Sequence, residues 1–277
     1  MRVSAICVPL LLITCVALAR FDQMLPQPLL WLQFDEGDGD VAHDGSGFGN
    51  DATLHGDVEW VTGFRGTEGA LGTLGLAPDE GGAVRFGDGR WGVVPHDDMF
   101  HLTEDMTVAC WVSLEGDGPD DGMSYQQAVF EKGPSWGAGL YSLMPDFNNN
   151  VLFQARDLLE GCNDELQGGY ILGAGWTHIA GTFDGESIKV YVNGELTDAL
   201  ECPGELETND EDLYIGSRAG AERWLLGVVD ELYVFSVALK QEQVEHLFGG
   251  SGHKRVAATL WHSIKNGLRN PPAAAGN

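Results

Sequence analysis

Positive charge is scarce in this chain. Its 277 residues include 15 Lys and Arg against 42 Asp and Glu, which gives a formal net charge of −27. The segment after residue 250 contains four basic residues and no acidic one, so the body of the chain carries the whole acidic excess. A surface of this sign repels phosphate and argues against a nucleic-acid partner. Most of the carboxylates are expected to form a solvated coat.

Long apolar runs are absent after the first nineteen residues. Arg2 is followed by an apolar stretch from Ile6 to Leu18 and by the small-x-small triplet Ala17–Ala19. This is the layout of a cleaved secretory signal over residues 1–19. It is short for a membrane span, which needs about 20 apolar residues, so we expect a secreted, extracellular protein with no membrane span. Leu12–Cys15 loosely resembles a lipoprotein cleavage site, which leaves a lipid-anchored, cell-surface form as an alternative.

Cysteine is sparse, and three cysteines remain once the signal is removed. Cys110 lies in the strand-like run Met106–Val112, where a free cysteine behaves as a small buried hydrophobe. Cys162 and Cys202 both lie in polar loops flanked by Gly or Pro. An oxidising compartment permits disulfides, so we predict a Cys162–Cys202 bridge and a free Cys110.

Helical periodicity is nearly absent before residue 240. The chain instead shows short alternating or apolar runs separated by Gly, Asp and Asn, with 39 glycines in all. This pattern excludes parallel α/β folds and predicts an all-β, two-sheet antiparallel sandwich. The predicted strands are Leu29–Phe34, Ala83–Phe86, Trp91–Val94, Met106–Leu114, Gln127–Glu131, Gly139–Met144, Val151–Ala155, Thr177–Phe183, Ile188–Val192, Asp212–Ile215 and Leu225–Phe235.

Two local signals add detail to the sandwich. Asn193-Gly194 supplies the positive φ angles of a type I′ turn and predicts a hairpin over residues 184–200. Leu239, Val244 and Leu247 form one apolar face and predict a short C-terminal helix that begins near Ser236.

Several segments keep a characteristic order over residues 28–249: Leu30–Gly37, Asp44–Leu54, Trp176–Gly185, Tyr191–Gly194, Ile215-Gly216, Gly227–Phe235 and Leu239–Phe248. Together they resemble the laminin-G-like jelly-roll family, part of the concanavalin-A-like lectin and glucanase group. The resemblance implies one jelly-roll domain over residues 28–249. Residues 250–277 would then form a basic tail.

The resemblance also implies a structural calcium ion. In related sandwiches the first and last strands run side by side and hold calcium, so Asp230 would meet the Phe34-Asp35 end of the first strand. Carboxylate and amide oxygens are typical calcium ligands. The candidate ligands are Asp35, Asp44, Asn50 and Asp230. The alternative for Asp44 and Asn50 is that they only stabilise turns in a Gly-rich loop.

Binding residues gather on loops held by a rigid scaffold, and three polar loops here combine aromatic, acidic and amide side chains. These loops are residues 116–124, 133–137 and 146–150. An aromatic face there could stack on a sugar ring while the amides and carboxylates orient its hydroxyls. The candidate ligand-binding residues are Tyr125, Trp136, Asp146, Phe147 and Asn148.

Catalytic patterns are missing. Glycoside hydrolysis needs two carboxylates at one site, but the Glu-x-Asp-x-x-Glu strand of laminarinase-type relatives does not occur. No nucleophile elbow, zinc helix or phosphate loop is present. Four acidic pairs are adjacent in sequence, which on a strand sends their members to opposite faces: Asp35-Glu36, Asp120-Asp121, Asp164-Glu165 and Asp230-Glu231.

The sequence therefore predicts a secreted, calcium-dependent and non-catalytic module that binds carbohydrate, with an extracellular glycan as its partner. The alternative is a structural or adhesive module that binds a surface protein. The fold hosts both functions, so the sequence does not decide between them.

Overall fold

A computed structural model describes residues 25–64, 81–118, 126–133, 137, 139–155 and 165–249. Several predictions fall outside these residues. They are the signal at residues 1–19, the tail at residues 250–277, the ligand-binding candidates Tyr125 and Trp136, and Cys162.

Two antiparallel sheets form the protein, as predicted. Sheet 1 has the order β14-β13-β12-β7-β16-β5-β4, with β1 also paired to β16. Its strands are β1 (Leu30–Leu32), β4 (Glu59–Thr62), β5 (Gly82–Arg85), β7 (Met106–Leu114), β12 (Trp176–Phe183), β13 (Ser187–Val192), β14 (Glu195–Glu201) and β16 (Gly227–Phe235).

Sheet 2 has the order β11-β10-β9-β8-β15-β6-β3-β2. Its strands are β2 (Val41–Ala42), β3 (Ala52–His55), β6 (Trp91–Val94), β8 (Phe130–Lys132), β9 (Tyr141–Pro145), β10 (Asn150–Ala155), β11 (Glu165–Tyr170) and β15 (Leu213–Ile215). Sequence reasoning did not propose β2, β3, β4 and β11.

The core lies between the sheets, and the central strand β7 shows why. Alternation sends Val108, Cys110 and Val112 into the main core. Ala109 faces the other way, into a smaller apolar cluster on the outer face of sheet 1. Strand β12 behaves alike, with Ile179 in the core and Ala180 in the smaller cluster.

The helix α1 (Gln241–Gly249) covers the smaller cluster. Its Val244 and Leu247 are buried against Ala109 and Ala180, which confirms the predicted apolar face. The predicted start near Ser236 was wrong, because the Gln243 side chain accepts a hydrogen bond from the Lys240 backbone at 2.9 Å and fixes the start there. No helix within the described ranges is long and apolar enough to cross a membrane.

The hairpin and the free cysteine appear as predicted. Asn193 and Gly194 have φ angles of 52° and 78° and join β13 to β14. Cys110 is a free and fully buried thiol, and burial raises its pKa well above the ordinary value. Cys202 is also fully buried. Its bridge to Cys162 stays a prediction, because Cys162 lies outside the described residues.

Candidate functional site

The four predicted calcium ligands occupy two separate places. Asp44 is the centre of a hydrogen-bonded loop, where its carboxylate accepts from five donors. They are the backbone N–H groups of Trp31, Ser46, Gly49 and Asn50 and the Ser46 hydroxyl, at 2.6–3.1 Å. Burial raises the pKa of Asp44, but the hydrogen bonds from Ser46, Asn50 and Trp31 outweigh burial and leave it lowered. A carboxylate used in this way organises the loop and is a poor cation ligand.

Asn50 belongs to the same loop and not to a site with Asp230. Its side-chain amide donates to the Leu29 carbonyl at 2.9 Å, so it ties the Gly-rich loop to the start of β1. The contacts of Asp44 and Asn50 are therefore those of residues that stabilise the turns of a Gly-rich loop, which was the alternative to calcium binding. The predicted set of four residues does not come together around one point.

Asp35 and Asp230 do lie at one corner of the sandwich. Strand β1 pairs with β16, Leu32 opposite Leu232, so the first and last strands run side by side. Asp35 accepts from the Gly82 N–H at 2.7 Å, and Asp230 accepts from the Phe64 N–H at 2.9 Å.

The corner is acidic. Burial and the negative charges of Glu231, Asp230 and Asp35 all raise the pKa of Tyr233. Glu231, where β16 bulges, accepts hydrogen bonds from Trp31 Nε1 at 2.7 Å and the Tyr233 hydroxyl at 2.6 Å. Asp35 is exposed and Asp230 is nearly buried. One exposed and one buried carboxylate at a negatively charged corner can bind a cation.

The predicted sugar-binding loops are partly described. Asp146 is buried and accepts from the N–H groups of Asn148 and Asn150 at 2.7 and 2.9 Å, so it shapes the β9–β10 turn. Asn149 has the left-handed φ of 59°, which Asn tolerates well. Asp146 therefore holds the turn, while Phe147 (53% exposed) and Asn148 stand at its tip.

Two further contacts connect this turn to its neighbours. The Asn149 side chain donates to the exposed Asp117 carboxylate at 2.7 Å, which joins two of the three predicted loops. Ile171 N–H donates to the Asn149 carbonyl at 2.9 Å, and Asn150 is paired with Tyr170 at the end of β11. Tyr170 is 61% exposed.

We call Asp117, Phe147, Asn148 and Tyr170 the Phe147 patch. It places two exposed aromatic side chains at one end of sheet 2, beside a carboxylate and an amide, on backbone fixed by hydrogen bonds. Aromatic rings with polar neighbours bind ligands that have one apolar face and one polar edge. Sequence reasoning missed Tyr170, although an aromatic residue after Gly168-Gly169 in a polar segment is a usable signal.

The outer face of sheet 2 carries a row of buried polar side chains. Glu131, Ser142 and Gln154 lie side by side on β8, β9 and β10. Arg218 donates to both oxygens of Glu131 at 2.6 and 2.8 Å, and Ser142 donates to Gln154 at 3.0 Å. Because its oxygens face a guanidinium, Glu131 is not placed to act as a general acid or base.

A family model for laminin G domains, described as the concanavalin A-like lectin/glucanases superfamily, matches residues 86–245. The chain belongs to this family. The match takes in the whole Phe147 patch of this laminin G-like domain, whereas Asp35, Asp44 and Asn50 lie before it. A comparison with curated protein sequences finds no significant match.

Solved structures share the fold of the laminin G-like domain at low sequence identity. The binding domain of Paraclostridial Mosquitocidal Protein 1 is 15% identical, with a TM-score of 0.60 over 80% of this chain and 52% of that one. Domain 4 of AbnA, a GH43 arabinanase from Geobacillus stearothermophilus in complex with arabinotriose, is 19% identical, with a TM-score of 0.57 over 80% and 98%.

The botulinum neurotoxin serotype D binding domain is 16% identical, with a TM-score of 0.55 over 81% of this chain and 52% of that one. The laminin G-like chain thus spans about half the length of the toxin binding domains that it matches. These neighbours are jelly-roll binding domains, which agrees with the predicted fold.

Proposed function

We propose that this chain is a secreted, non-catalytic module that binds an extracellular glycan at the Phe147 patch. The observation that carries the proposal is the placement of Phe147 and Tyr170, both more than half exposed, around one hydrogen-bonded turn. Exposed aromatic side chains on rigid backbone are the usual platform for a sugar ring. Asn148 and Asp117 supply an amide and a carboxylate for its hydroxyls.

The proposal draws support from the fold. Jelly-roll neighbours include a domain in complex with arabinotriose and toxin binding domains. Two of the described carboxylates support the non-catalytic part. Asp44 is saturated with donors and Glu131 faces Arg218, so neither is available to protonate a leaving group.

Calcium dependence is a separate part of the proposal and rests on Asp35 and Asp230 alone. Their corner supplies two carboxylates, Asp35 from the segment after β1 and Asp230 from β16, and calcium accepts further oxygens from backbone carbonyls and water. Bound there, calcium would join the first strand to the last and stabilise the sandwich. Secretion rests on the signal-like residues 1–19.

A glycan array tests the binding proposal. The full chain is applied in calcium and in chelator, together with Phe147→Ala and with Phe48→Ala, a matched control whose phenyl ring is 47% exposed in another loop. We expect selective binding by the unchanged chain and by Phe48→Ala, and its loss in Phe147→Ala. A blank array with folded protein would refute glycan binding and favour the structural or adhesive alternative.

A further inference from the structure

A cluster of histidines and carboxylates lies away from both the Phe147 patch and the Asp35–Asp230 corner. His96 follows β6 by two residues, and a 3₁₀ turn over Asp98–Phe100 leads to His101. Asp97 caps this turn by accepting from the Met99 N–H at 2.9 Å. The turn brings the two imidazole rings to a centroid distance of 4.9 Å.

A second loop approaches the same point. Asp212 accepts from the His96 backbone N–H at 2.8 Å, next to the β6–β15 pairing. Lys132 fixes the loop further by donating to the Asn209 and Glu211 carbonyls at 2.9 and 2.8 Å. The loop therefore holds Asp210 beside the two histidines.

The ligand atoms have the spacing of a metal site. His96 Nε2 lies 3.7 Å from Asp98 Oδ1 and 3.6 Å from Asp210 Oδ1. His101 Nε2 lies 3.2 Å from Asp210 Oδ1 and also 3.2 Å from the Asn209 carbonyl oxygen, so both oxygens are within hydrogen-bond distance of this ring nitrogen. Tetrahedral zinc with nitrogen and oxygen ligands at about 2.0–2.2 Å puts neighbouring ligand atoms about 3.3 Å apart. Ligand atoms of His96, Asp98 and His101 all lie within 4.8 Å of one another.

The buried ring nitrogens of His96 also point to a bound ion. Both of its ring nitrogens are buried, and neither has a hydrogen-bond partner among the described residues. Buried polar atoms in folded proteins nearly always have a partner. Its Nε2 atom faces the carboxylates from beyond hydrogen-bond distance, which leaves room for an atom between them.

We propose that His96, Asp98 and His101 form a zinc site that Asp210 completes from the second loop. Imidazole nitrogen with carboxylate oxygen is the donor set of zinc, whereas calcium takes oxygen ligands almost exclusively. The site lies between the turn after β6 and the loop before β15, so bound zinc would crosslink these two loops at one end of sheet 2. The negative charge of the chain attracts the cation.

Titration of the chelator-treated full chain with zinc, against a competing zinc dye, tests the site. We expect one tight site that His96→Ala and His101→Ala each weaken by at least about tenfold. Asp210→Asn should also weaken it, and because this side chain is 85% exposed, the variant keeps the fold. The matched control His43→Ala removes an exposed histidine beside Asp51 and should bind zinc normally.

Cobalt absorption and melting curves complete the test. Cobalt(II) should give the intense visible bands of a tetrahedral site in the unchanged chain and not in Asp210→Asn. Zinc should raise the melting temperature of the unchanged chain and not that of Asp210→Asn. Equal zinc affinity in the unchanged chain and all three cluster variants, or no zinc binding by the unchanged chain at micromolar concentration, would overturn the proposal.

Discussion

Arg218 donates two parallel hydrogen bonds to Glu131, Nε to Oε1 at 2.6 Å and an Nη to Oε2 at 2.8 Å, and both side chains are almost fully buried. The bidentate geometry joins β8 to the segment that follows β15. An isolated charge at either position would be costly, because burial removes its hydration.

Removing one partner of this ion pair should destabilise the fold strongly. We expect Glu131→Gln to lower the free energy of unfolding by about 3–5 kcal/mol, since Arg218 loses its charged partner. The matched control is Glu115→Gln, which breaks the half-exposed pair with Arg85 at 3.1 Å and should cost at most about 1 kcal/mol. Denaturant unfolding of both variants measures the difference. Equal costs would show that Arg218 is stabilised without Glu131.

The two groups of predicted calcium ligands should respond differently to the ion. Asp230→Ala should lower the melting temperature more in calcium than in chelator, because an ion that binds only the folded state adds stability by mass action. Asp44→Ala should lower it equally in both buffers, since Asp44 stabilises a loop through backbone donors. Scanning calorimetry of the two variants makes the comparison. Equal losses for Asp230→Ala in the two buffers would count against calcium at the Asp35–Asp230 corner.

Much of the fold could be predicted because strands such as β6, β7 and β12 are largely apolar runs bounded by turn-forming residues. Strands β6 and β7 have the predicted bounds, and β12 differs by one residue. Strand β2 has only two residues and β11 contains Gly168-Gly169, so neither carries a periodic signal. Short edge strands of this kind are defined by their partners across the sheet.

The candidate sites were harder to predict, for a physical reason. A carboxylate beside glycines can hold a metal or accept backbone N–H groups, and the sequence of the loop around Asp44 is compatible with both. Long-range pairing decided where Asp35, Asp230 and Tyr170 lie. The histidine cluster was not foreseen, because Asp210 reaches His96 and His101 from more than a hundred residues away.

Gly181 should be required by close contact between the two sheets. A Cβ atom at this position would lie 2.1 Å from a ring carbon of Phe153 in the opposite sheet. Gly181→Ala should therefore cost about 1–3 kcal/mol of unfolding free energy, the usual range for overpacking. Gly181→Ala should cost less unfolding free energy in the Phe153→Leu background than in the unchanged chain. A fully additive double-mutant cycle would rule out this contact as the cause.

The buried thiol of Cys110 should make stability fall at alkaline pH. Burial keeps this thiol protonated in the folded state, while in the unfolded chain it ionises near its ordinary pKa of 9.0. The unfolded state alone then loses a proton, so stability present below pH 9 is lost as pH rises.

The loss reaches about 1.4 kcal/mol at pH 10. Denaturant unfolding at pH 7 and pH 10 gives the free energy of unfolding of the unchanged chain and of Cys110→Ala. The difference between the two proteins isolates the contribution of the thiol, because the other titrating groups are the same in both. A pH-independent difference would mean that the thiol ionises equally in both states.

Glycan binding by the Phe147 patch can be measured directly. The most direct measurement is the binding isotherm of the strongest array glycan with the unchanged chain, Phe147→Ala, Tyr170→Ala and the control Phe48→Ala. We predict that each patch variant loses about 2 kcal/mol of binding free energy, roughly thirtyfold in Kd, without a change in melting temperature. Phe48→Ala should bind as tightly as the unchanged chain. Unaltered Kd values in Phe147→Ala and Tyr170→Ala would contradict the claim.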